Sequence, residues 1–339
     1  MSLVRVSRLQ STYVTIIMPI RNEAAFIERS LGAVLAQDYP ADLLEVLVVD
    51  GMSDDGTRDI VTRILAGRTN GKLLDNARQI VPTALNIGLE QARGDLIVRV
   101  DGHTIIARDY ARRCVDVLHE SGADCVGGPM RAVGDNAFGE AVALSTSHPF
   151  GVGGSRFHYA TEPMEVDTVY MGASPRQVFE RAGRFDEEMV RNQDDEFNYR
   201  LRAAGGRIWL DPHIRSTYHV RSSWRSLWRQ YYQYGFWKVR VFQKVPGSAQ
   251  IRHWVPPLFA LYVVGGLLAA LLLPGLRLAY LAGLLVYLVA NLVVSMRIAA
   301  RTGWRHILRV PIVFAILHLS YGLGFWAGMA RFGLPRGRR

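Results

Sequence analysis

Three runs near the C-terminus limit what this chain can become before any motif is weighed. Residues 254–273, 276–295 and 310–330 are almost free of charged side chains, Arg277 excepted. Each approaches the roughly 20 apolar residues that a helix needs to cross a bilayer. Pro274-Gly275, between the first two runs, reads as a tight hairpin turn. The whole chain is 49% hydrophobic. That excess is concentrated in these runs, while residues up to about 244 read as a water-exposed α/β domain. Arg297, Arg301, Arg305 and Arg309 follow the second run, so by the positive-inside bias they belong on the cytoplasmic side with the N-terminal domain. Three crossings would put the C-terminus outside, yet Arg331, Arg336, Arg338 and Arg339 cluster there. The same rule then makes the last segment re-entrant or tilted. Residues 1–10 carry Arg5 and Arg8 but no long apolar core, so no secretory signal is expected.

Formal net charge is +10, supplied almost wholly by arginine, since Lys72, Lys238 and Lys244 are the only lysines. Such an excess suits nucleic acid, anionic lipid or phosphorylated substrates. Arginines beside apolar segments favour lipid headgroups and diphosphates. Residues 221–244 mix Trp224, Trp228, Tyr231, Tyr232, Phe236 and Trp237 with Arg and Lys, the makeup of an interfacial amphipathic helix. Nucleic-acid stacking is the rival reading of that mixture. Its place directly before a hydrophobic run favours lipid, and no nucleic-acid partner is expected. Cys114 and Cys125 are too few and wrongly spaced for a zinc cluster or disulfide framework, so they read as reduced packing residues.

The N-terminal part alternates strands, polar loops and helices, the rhythm of a mostly parallel α/β sheet. Tyr13-Val-Thr-Ile-Ile-Met-Pro19 reads as a first buried strand. Ala24, Ile27, Leu31, Val34 and Leu35 then recur at helical spacing. Glu45-Val-Leu-Val-Val-Asp50 reads as a second strand, running into the turn-rich Gly51-Met-Ser-Asp-Asp-Gly-Thr57. Ser53, Asp54 and Asp55 are good helix N-caps, and capping alone explains much of that loop. Asp50 ends a strand, where a carboxylate can accept hydrogen bonds from a uracil or ribose edge. A helix over 81–92 ends at Gly94.

Leu96-Ile-Val-Arg-Val-Asp-Gly-His103 is the pivotal stretch, a buried strand that stops in an acid, a glycine and an imidazole. Ligands bind at the carboxyl edge of open α/β sheets, and an oxygen and a nitrogen ligand one residue apart can turn toward one divalent cation. A plain turn with an incidental histidine explains these eight residues about equally well. Further on, Phe197, Arg200, Leu201 and Ala204 mark a helix whose first turn holds Asp194, Asp195 and Glu196. Acids there stabilise the helix dipole by about 0.3–1 kcal/mol each, and three in a row invite a further role.

Pro19-Ile-Arg-Asn-Glu23, Val48-Val-Asp-Gly-Met-Ser-Asp-Asp-Gly-Thr57, Asn86-Ile-Gly88, Ala92-Arg-Gly94 and the acid-rich end at Asp101 resemble, in order, the signatures of the family 2 glycosyltransferases. The resemblance implies a GT-A (Rossmann-like) fold class over residues 1–220, to which composition and hydropathy add an interfacial segment over 221–253 and a membrane domain of about three helices over 254–339. It implies that Pro19, Arg21, Glu23, Asp50, Ser53 and Asp54 line the nucleotide pocket. It also identifies Asp101-Gly-His103 with the family's metal-binding Asp-x-Asp, His103 replacing the second carboxylate. A similar Asp-x-His occurs in manganese-dependent polypeptide GalNAc-transferases, and imidazole is a fair ligand for Mn²⁺ but poorer for Mg²⁺, so Mn²⁺ is expected. His219 stands where several members place a third metal ligand, although a lone strand histidine is as readily structural.

In the family an Glu-Asp pair begins the acid-headed helix, and its Asp is the general base. Counting back from Arg200-Leu201 puts Gln193 on the family Glu and Asp194 on the Asp, with Asp195 the rival register. The expectation is an inverting, membrane-anchored enzyme of the plasma (inner) membrane with its catalytic domain in the cytoplasm. Its expected donor is a nucleotide sugar, a UDP-hexose, and its acceptor a polyprenyl-diphosphate-linked saccharide in exopolysaccharide biosynthesis. The pattern is similar to the succinoglycan-type glycosyltransferases. Rival readings are a polyprenyl-phosphate hexosyltransferase and a non-catalytic nucleotide-sugar-binding scaffold. A transporter is disfavoured because His318 is the lone ionisable candidate in the apolar runs.

Overall fold

In the computed structural model, which describes residues 12–334, every residue of Val14–Ile20 (β1) is buried. Residues 1–10, Arg336, Arg338 and Arg339 lie outside the described residues. The chain divides into two units: up to Arg131 with Tyr159–Tyr218, and Ala132–His158 with His219 onward.

In the first unit β1 lies between Leu44–Asp50 (β2) and Leu96–Arg99 (β4), parallel to both, and β2 pairs in parallel with Gly71–Asp75 (β3). The remaining strands are Thr104–Ile106 (β5), Cys125–Gly128 (β6), Met130–Val133 (β7), Met164–Glu165 (β8), Tyr170–Pro175 (β9), Ile208–Leu210 (β10) and Ser216–His219 (β11). Eight strands form one sheet in the order β3-β2-β1-β4-β9-β6-β10-β8. It is mixed rather than all-parallel, because β9 runs antiparallel to both β4 and β6.

The continuous apolar runs follow from burial on both faces. Ile16, Met18, Val46 and Val48 pack with the helices Ile27–Leu35 and Thr57–Leu65. Their neighbours Ile17, Leu47, Val49 and Ile97 point the other way, onto Leu85 and Leu89 of helix Val81–Gln91. That helix seats closely because position 88 is bare: a Cβ on Gly88 would stand 2.5 Å from Ile17 Cγ2. Parallel register aligns Ile20 with Asp50 and Asp50 with Asp75. The loops that carry the polar motifs therefore leave the sheet at one edge, the carboxyl edge where α/β folds bind ligands. Cys114 and Cys125 are both buried and unbonded.

The second unit is helical. The segment 132–158, read from sequence as part of the first domain, packs here. Glu140 of helix Ala137–Thr146 pairs with Arg305 and His306, and Phe150 lies against Phe314 and Tyr287. Trp224–Lys244 is one basic, aromatic-rich helix. Three further helices are long and apolar enough to cross a membrane: Ile251–Leu272, Arg277–Thr302 with the turn before it, and Val310–Phe332. Pro274–Leu276 makes the expected tight connection. Arg297 and Arg301 extend the second of these helices, and Arg305 and Arg309 occupy the loop after it.

Candidate active site

β4 delivers its last side chain and the two residues after it to the centre of the first unit. Arg99 Nε donates to Asp101 Oδ1 at 2.7 Å, and Arg99 Nη1 stands 3.8 Å from Asp194 Oδ2. One guanidinium therefore joins two carboxylates that are 93 positions apart in the sequence. Arg99 is nearly enclosed, with 12% of its side chain exposed. Burial alone would lower its pKa, but Asp101 and then Asp194 hold it above the usual arginine value, so it is a fixed cation. Asp101 Oδ2 takes no hydrogen bond from the described residues.

His103 Nδ1 lies 2.9 Å from Glu23 Oε1. A carboxylate there accepts only, so Nδ1 carries a proton and the neutral ring keeps its lone pair on Nε2, the arrangement of a metal-binding imidazole steadied by an outer carboxylate. Gly102 makes this contact possible, since a Cβ would fall 2.9 Å from Ile20 Cγ2 and 3.0 Å from Glu23 Cγ. Tyr218 meets the His103 ring edge-on at 5.4 Å and Tyr170 at 5.7 Å, and Tyr170 also bonds Thr104. Burial, then Asp101, pushes the Tyr170 phenol well above its ordinary pKa, so it stays neutral.

β9 reaches the site through a register shift. Val126 faces Ala173 but Gly128 faces Tyr170, leaving one extra β9 residue. Such a bulge re-aims side chains. Met171, at φ 50°, lies in it and its sulfur accepts from the Asp101 amide at 3.4 Å. Asn22, Met52 and Asn192 share the left-handed backbone, at φ 55°, 57° and 58°. Each such residue costs on the order of 1–3 kcal/mol, and such strain collects at functional sites.

Asn192 heads helix Gln193–Ala203. Asp194 follows at the mouth of the site, with 40% of its side chain exposed. Its pKa is raised by the surrounding protein and then by Asp195, while Arg99 pulls it down. Glu196 is buried and bound by both arms of Arg200, at 2.8 and 2.9 Å. The acids thus separate: Asp194 meets Arg99, whereas Glu196 pairs within its own helix with Arg200, which in turn donates to the Ala182 and Arg184 carbonyls.

Of the residues expected in the nucleotide pocket, Pro19 is buried in β1, and Arg21 and Asp54 are exposed. Asp50 is wholly buried, its oxygens accepting from Ser53 N, Ser53 Oγ and Arg58 Nη1. The loops after β1 and β2 are laced together: Asn22 N donates to Ser53 Oγ at 2.9 Å, and Glu23 N to Thr57 Oγ1 at 2.8 Å. Arg58 also grips the exposed Asp75. His219 is bonded through Nδ1 to Asp135 at 2.9 Å. Among the described residues no three His, Cys, Asp or Glu side chains gather as a metal set. Sequence reasoning passed over Arg99, Arg58, Asp75 and Tyr218. Two of them had a signal: Arg99 is the lone charge in an apolar strand, and Asp75 ends β3 as Asp50 ends β2.

The strand-edge acids, the steadied imidazole and the helix-borne carboxylate lie on a sheet of known kind. Residues 15–180 match the model for Glycosyl transferase family 2. The chain therefore carries a family 2 glycosyltransferase domain on a GT-A-like fold. Among particular relatives, the succinoglycan biosynthesis protein ExoA of Rhizobium meliloti is 29% identical over 96% of this chain and 97% of its own. A dolichyl N-acetyl-α-D-glucosaminyl phosphate 3-β-D-2,3-diacetamido-2,3-dideoxy-β-D-glucuronosyltransferase of Methanococcus voltae is 27% identical over 94% and 98%. In fold, the chain is similar to the mannosyltransferase PcManGT of Pyrobaculum calidifontis, solved with GDP-Man and Mn²⁺, at TM-score 0.59 and 22% identity over 96% and 93% of the two chains.

Proposed function

We propose that this glycosyltransferase is a membrane-anchored, inverting hexosyltransferase of exopolysaccharide biosynthesis. Its donor is a nucleotide sugar, a UDP-hexose, and its acceptor a polyprenyl-diphosphate-linked saccharide at the cytoplasmic face of the inner membrane. The observation that carries this reading is the single guanidinium between Asp101 and Asp194. It brings the acid of the donor side within reach of the acid of the acceptor side. Two long relatives favour glycan assembly on a carrier: one is named for succinoglycan biosynthesis, the other for a dolichyl phosphate-linked sugar.

Asp101 Oδ2 and His103 Nε2 fit a divalent cation of borderline softness, which favours Mn²⁺ over Mg²⁺; PcManGT was solved with Mn²⁺. Bound there, the cation supplies positive charge against the leaving nucleoside diphosphate. Pro19, Arg21, Glu23, Asp50, Ser53 and Asp54 form the nucleotide side. Within it Asp50, Ser53 and Arg58 fix the loop, and Glu23 orients His103. Asp194 takes the proton from the acceptor hydroxyl as that oxygen attacks the anomeric carbon and the bond to the diphosphate breaks. A single displacement inverts the anomeric carbon and needs no covalent nucleophile.

The test is transfer from a panel of labelled nucleotide sugars to polyprenyl-linked acceptors, in metal-depleted membranes given back Mn²⁺ or Mg²⁺. Transfer by the wild type and its loss in Asp194→Asn, with nucleotide binding kept, supports the reading. Turnover surviving in Asp194→Asn refutes the base, and stronger activation by Mg²⁺ refutes the metal preference. A product on bare polyprenyl phosphate moves the acceptor to the lipid phosphate itself. Absence of both transfer and donor hydrolysis leaves a nucleotide-sugar-binding scaffold.

A further inference from the structure

The three long apolar helices are each long and apolar enough to cross a membrane, but they differ in where their apolar side chains point. In Ile251–Leu272 the large exposed hydrophobics run from end to end, from Val255 and Leu258 through Val264 and Leu268 to Leu272. Arg277–Thr302 does the same, from Leu278 through Leu285 and Val289 to Met296. These are helices that hydrocarbon must cover. In Val310–Phe332 the single exposed large hydrophobic is Ile312, in the first turn. Val313, Phe314, Ile316, Leu317, Ser320 and Phe325 are buried in the protein.

Phe150 covers Phe314 and bonds His318 in the first half of this helix, and the main cover along the rest is the basic helix Trp224–Lys244. The two backbones touch: a Cβ on Gly324 would collide with Tyr232 O, one on Gly328 with Phe236 O, and one on Gly235 with Tyr321 O. Further along, Phe236 and Trp237 pack on Phe332 at 5.0 and 5.6 Å, and Gln243 Nε2 donates to Phe332 O at 2.7 Å. The contacts advance together along both helices, so the pair lies side by side and shares one depth. The partner helix carries Arg225, Arg229, Lys238, Arg240 and Lys244. Arg and Lys are strongly disfavoured at the centre of a bilayer, so this pair does not cross one.

The contact with Ile251–Leu272 agrees. Trp254 meets Phe325 at 5.1 Å, a Cβ on Gly322 would collide with Pro256 O, and Phe259 meets His318 at 6.2 Å. These contacts run in opposite senses, whereas the first and third of three successive crossings run the same way. They also fall in the first turns of Ile251–Leu272, next to its polar entry. The loop between the second and third apolar helices bonds Glu140 through Arg305 and His306. Glu140 belongs to a segment joined at both ends to the α/β unit with no crossing between. That loop is therefore on the α/β side.

We infer that the chain crosses the membrane twice, through Ile251–Leu272 and Arg277–Thr302, and that Val310–Phe332 lies with Trp224–Lys244 along the anionic lipid surface of the leaflet facing the α/β unit. Arg331, at the end of the last helix, then falls on the same side as Arg301, Arg305 and Arg309, in keeping with the positive-inside bias. The uncharged hairpin Pro274–Leu276 alone faces the opposite side.

Single cysteines report this directly, since Cys114 and Cys125 are buried. Thr69→Cys marks the α/β unit, Gly275→Cys the hairpin and Leu334→Cys the end of the last helix; all three positions are exposed. Each full-length variant is treated with a membrane-impermeant maleimide in intact cells and in inverted vesicles. The expected result is that Leu334→Cys labels from the same side as Thr69→Cys, and Gly275→Cys from the other. Labelling of Leu334→Cys together with Gly275→Cys means three crossings and overturns the inference. Labelling of all three from one side overturns it as well, because no helix then crosses.

Discussion

Asp194 has two neighbours of opposite sign acting on one proton. Partial desolvation by the surrounding protein, then Asp195, favours its protonated form, and Arg99 favours the carboxylate. As the base proposed above, Asp194 works only as the carboxylate, so turnover is lost as pH falls through its pKa, which lies above the ordinary aspartate value. The acid limb of kcat against pH is therefore expected at higher pH than a solvated aspartate gives. Arg99→Met removes the main lowering influence, so the limb moves further up, while Arg99→Lys keeps the charge and stays nearer the wild type. A limb that does not move in Arg99→Met disproves the coupling. Asp194→Asn should cut kcat by about 10²–10⁴-fold, the usual worth of a positioned base, with nucleotide affinity kept in a binding titration. At this scale the sequence was informative wherever a polar residue ended an apolar run. Asp50, Asp101 and His103 stood out because a strand has no local use for them. Arg99 did not, because one charge inside a strand pattern carries no hint of the distant helix that it serves.

Elements were legible where apolar residues repeat and opaque where geometry departs from repetition. The strands Val14–Ile20 and Leu44–Asp50 and the helix Val81–Gln91 follow from their hydrophobic patterns. The β9 bulge does not, since one unpaired residue leaves the alternation of apolar side chains almost unchanged, and neither does the antiparallel placement of β9 between β4 and β6. The helix–sheet contact at Gly88 belongs with the legible part. Its motif was read as a family signature, and the structure gives that signature a steric cause in Ile17. Gly88→Ala forces a methyl into a packed face, an overpacking that costs about 1–3 kcal/mol. The expected outcome is a lower thermal midpoint in detergent with the Mn²⁺ response unchanged. A variant as stable as the wild type would show that the helix can shift off the sheet without cost.

Across the whole molecule, charge is distributed as unevenly as hydrophobicity. Beyond His219 the chain contains no Asp or Glu, against 16 Arg and Lys. Hydropathy reads three candidate crossings there because it counts apolar atoms without their direction. Only the packed structure separates side chains that face lipid from those that face another helix. The excess positive charge must find counter-ions, and an anionic leaflet supplies them at about 1 kcal/mol per basic residue near the surface, within a Debye length of roughly 10 Å at 0.1 M salt. The two crossing helices hold the chain in any bilayer, since their exposed leucines and valines depend on no headgroup. The seating of the basic helix does depend on one. Reconstituted in nanodiscs, the protein should insert equally into zwitterionic and anionic lipid, yet turn over several-fold faster in the anionic discs. That advantage should shrink as salt is raised, because screening acts on the headgroup contact and leaves the hydrocarbon contact alone. Equal turnover in both lipids at low salt would mean that the basic helix is held by protein contacts alone and that the leaflet's charge plays no part in presenting the acceptor.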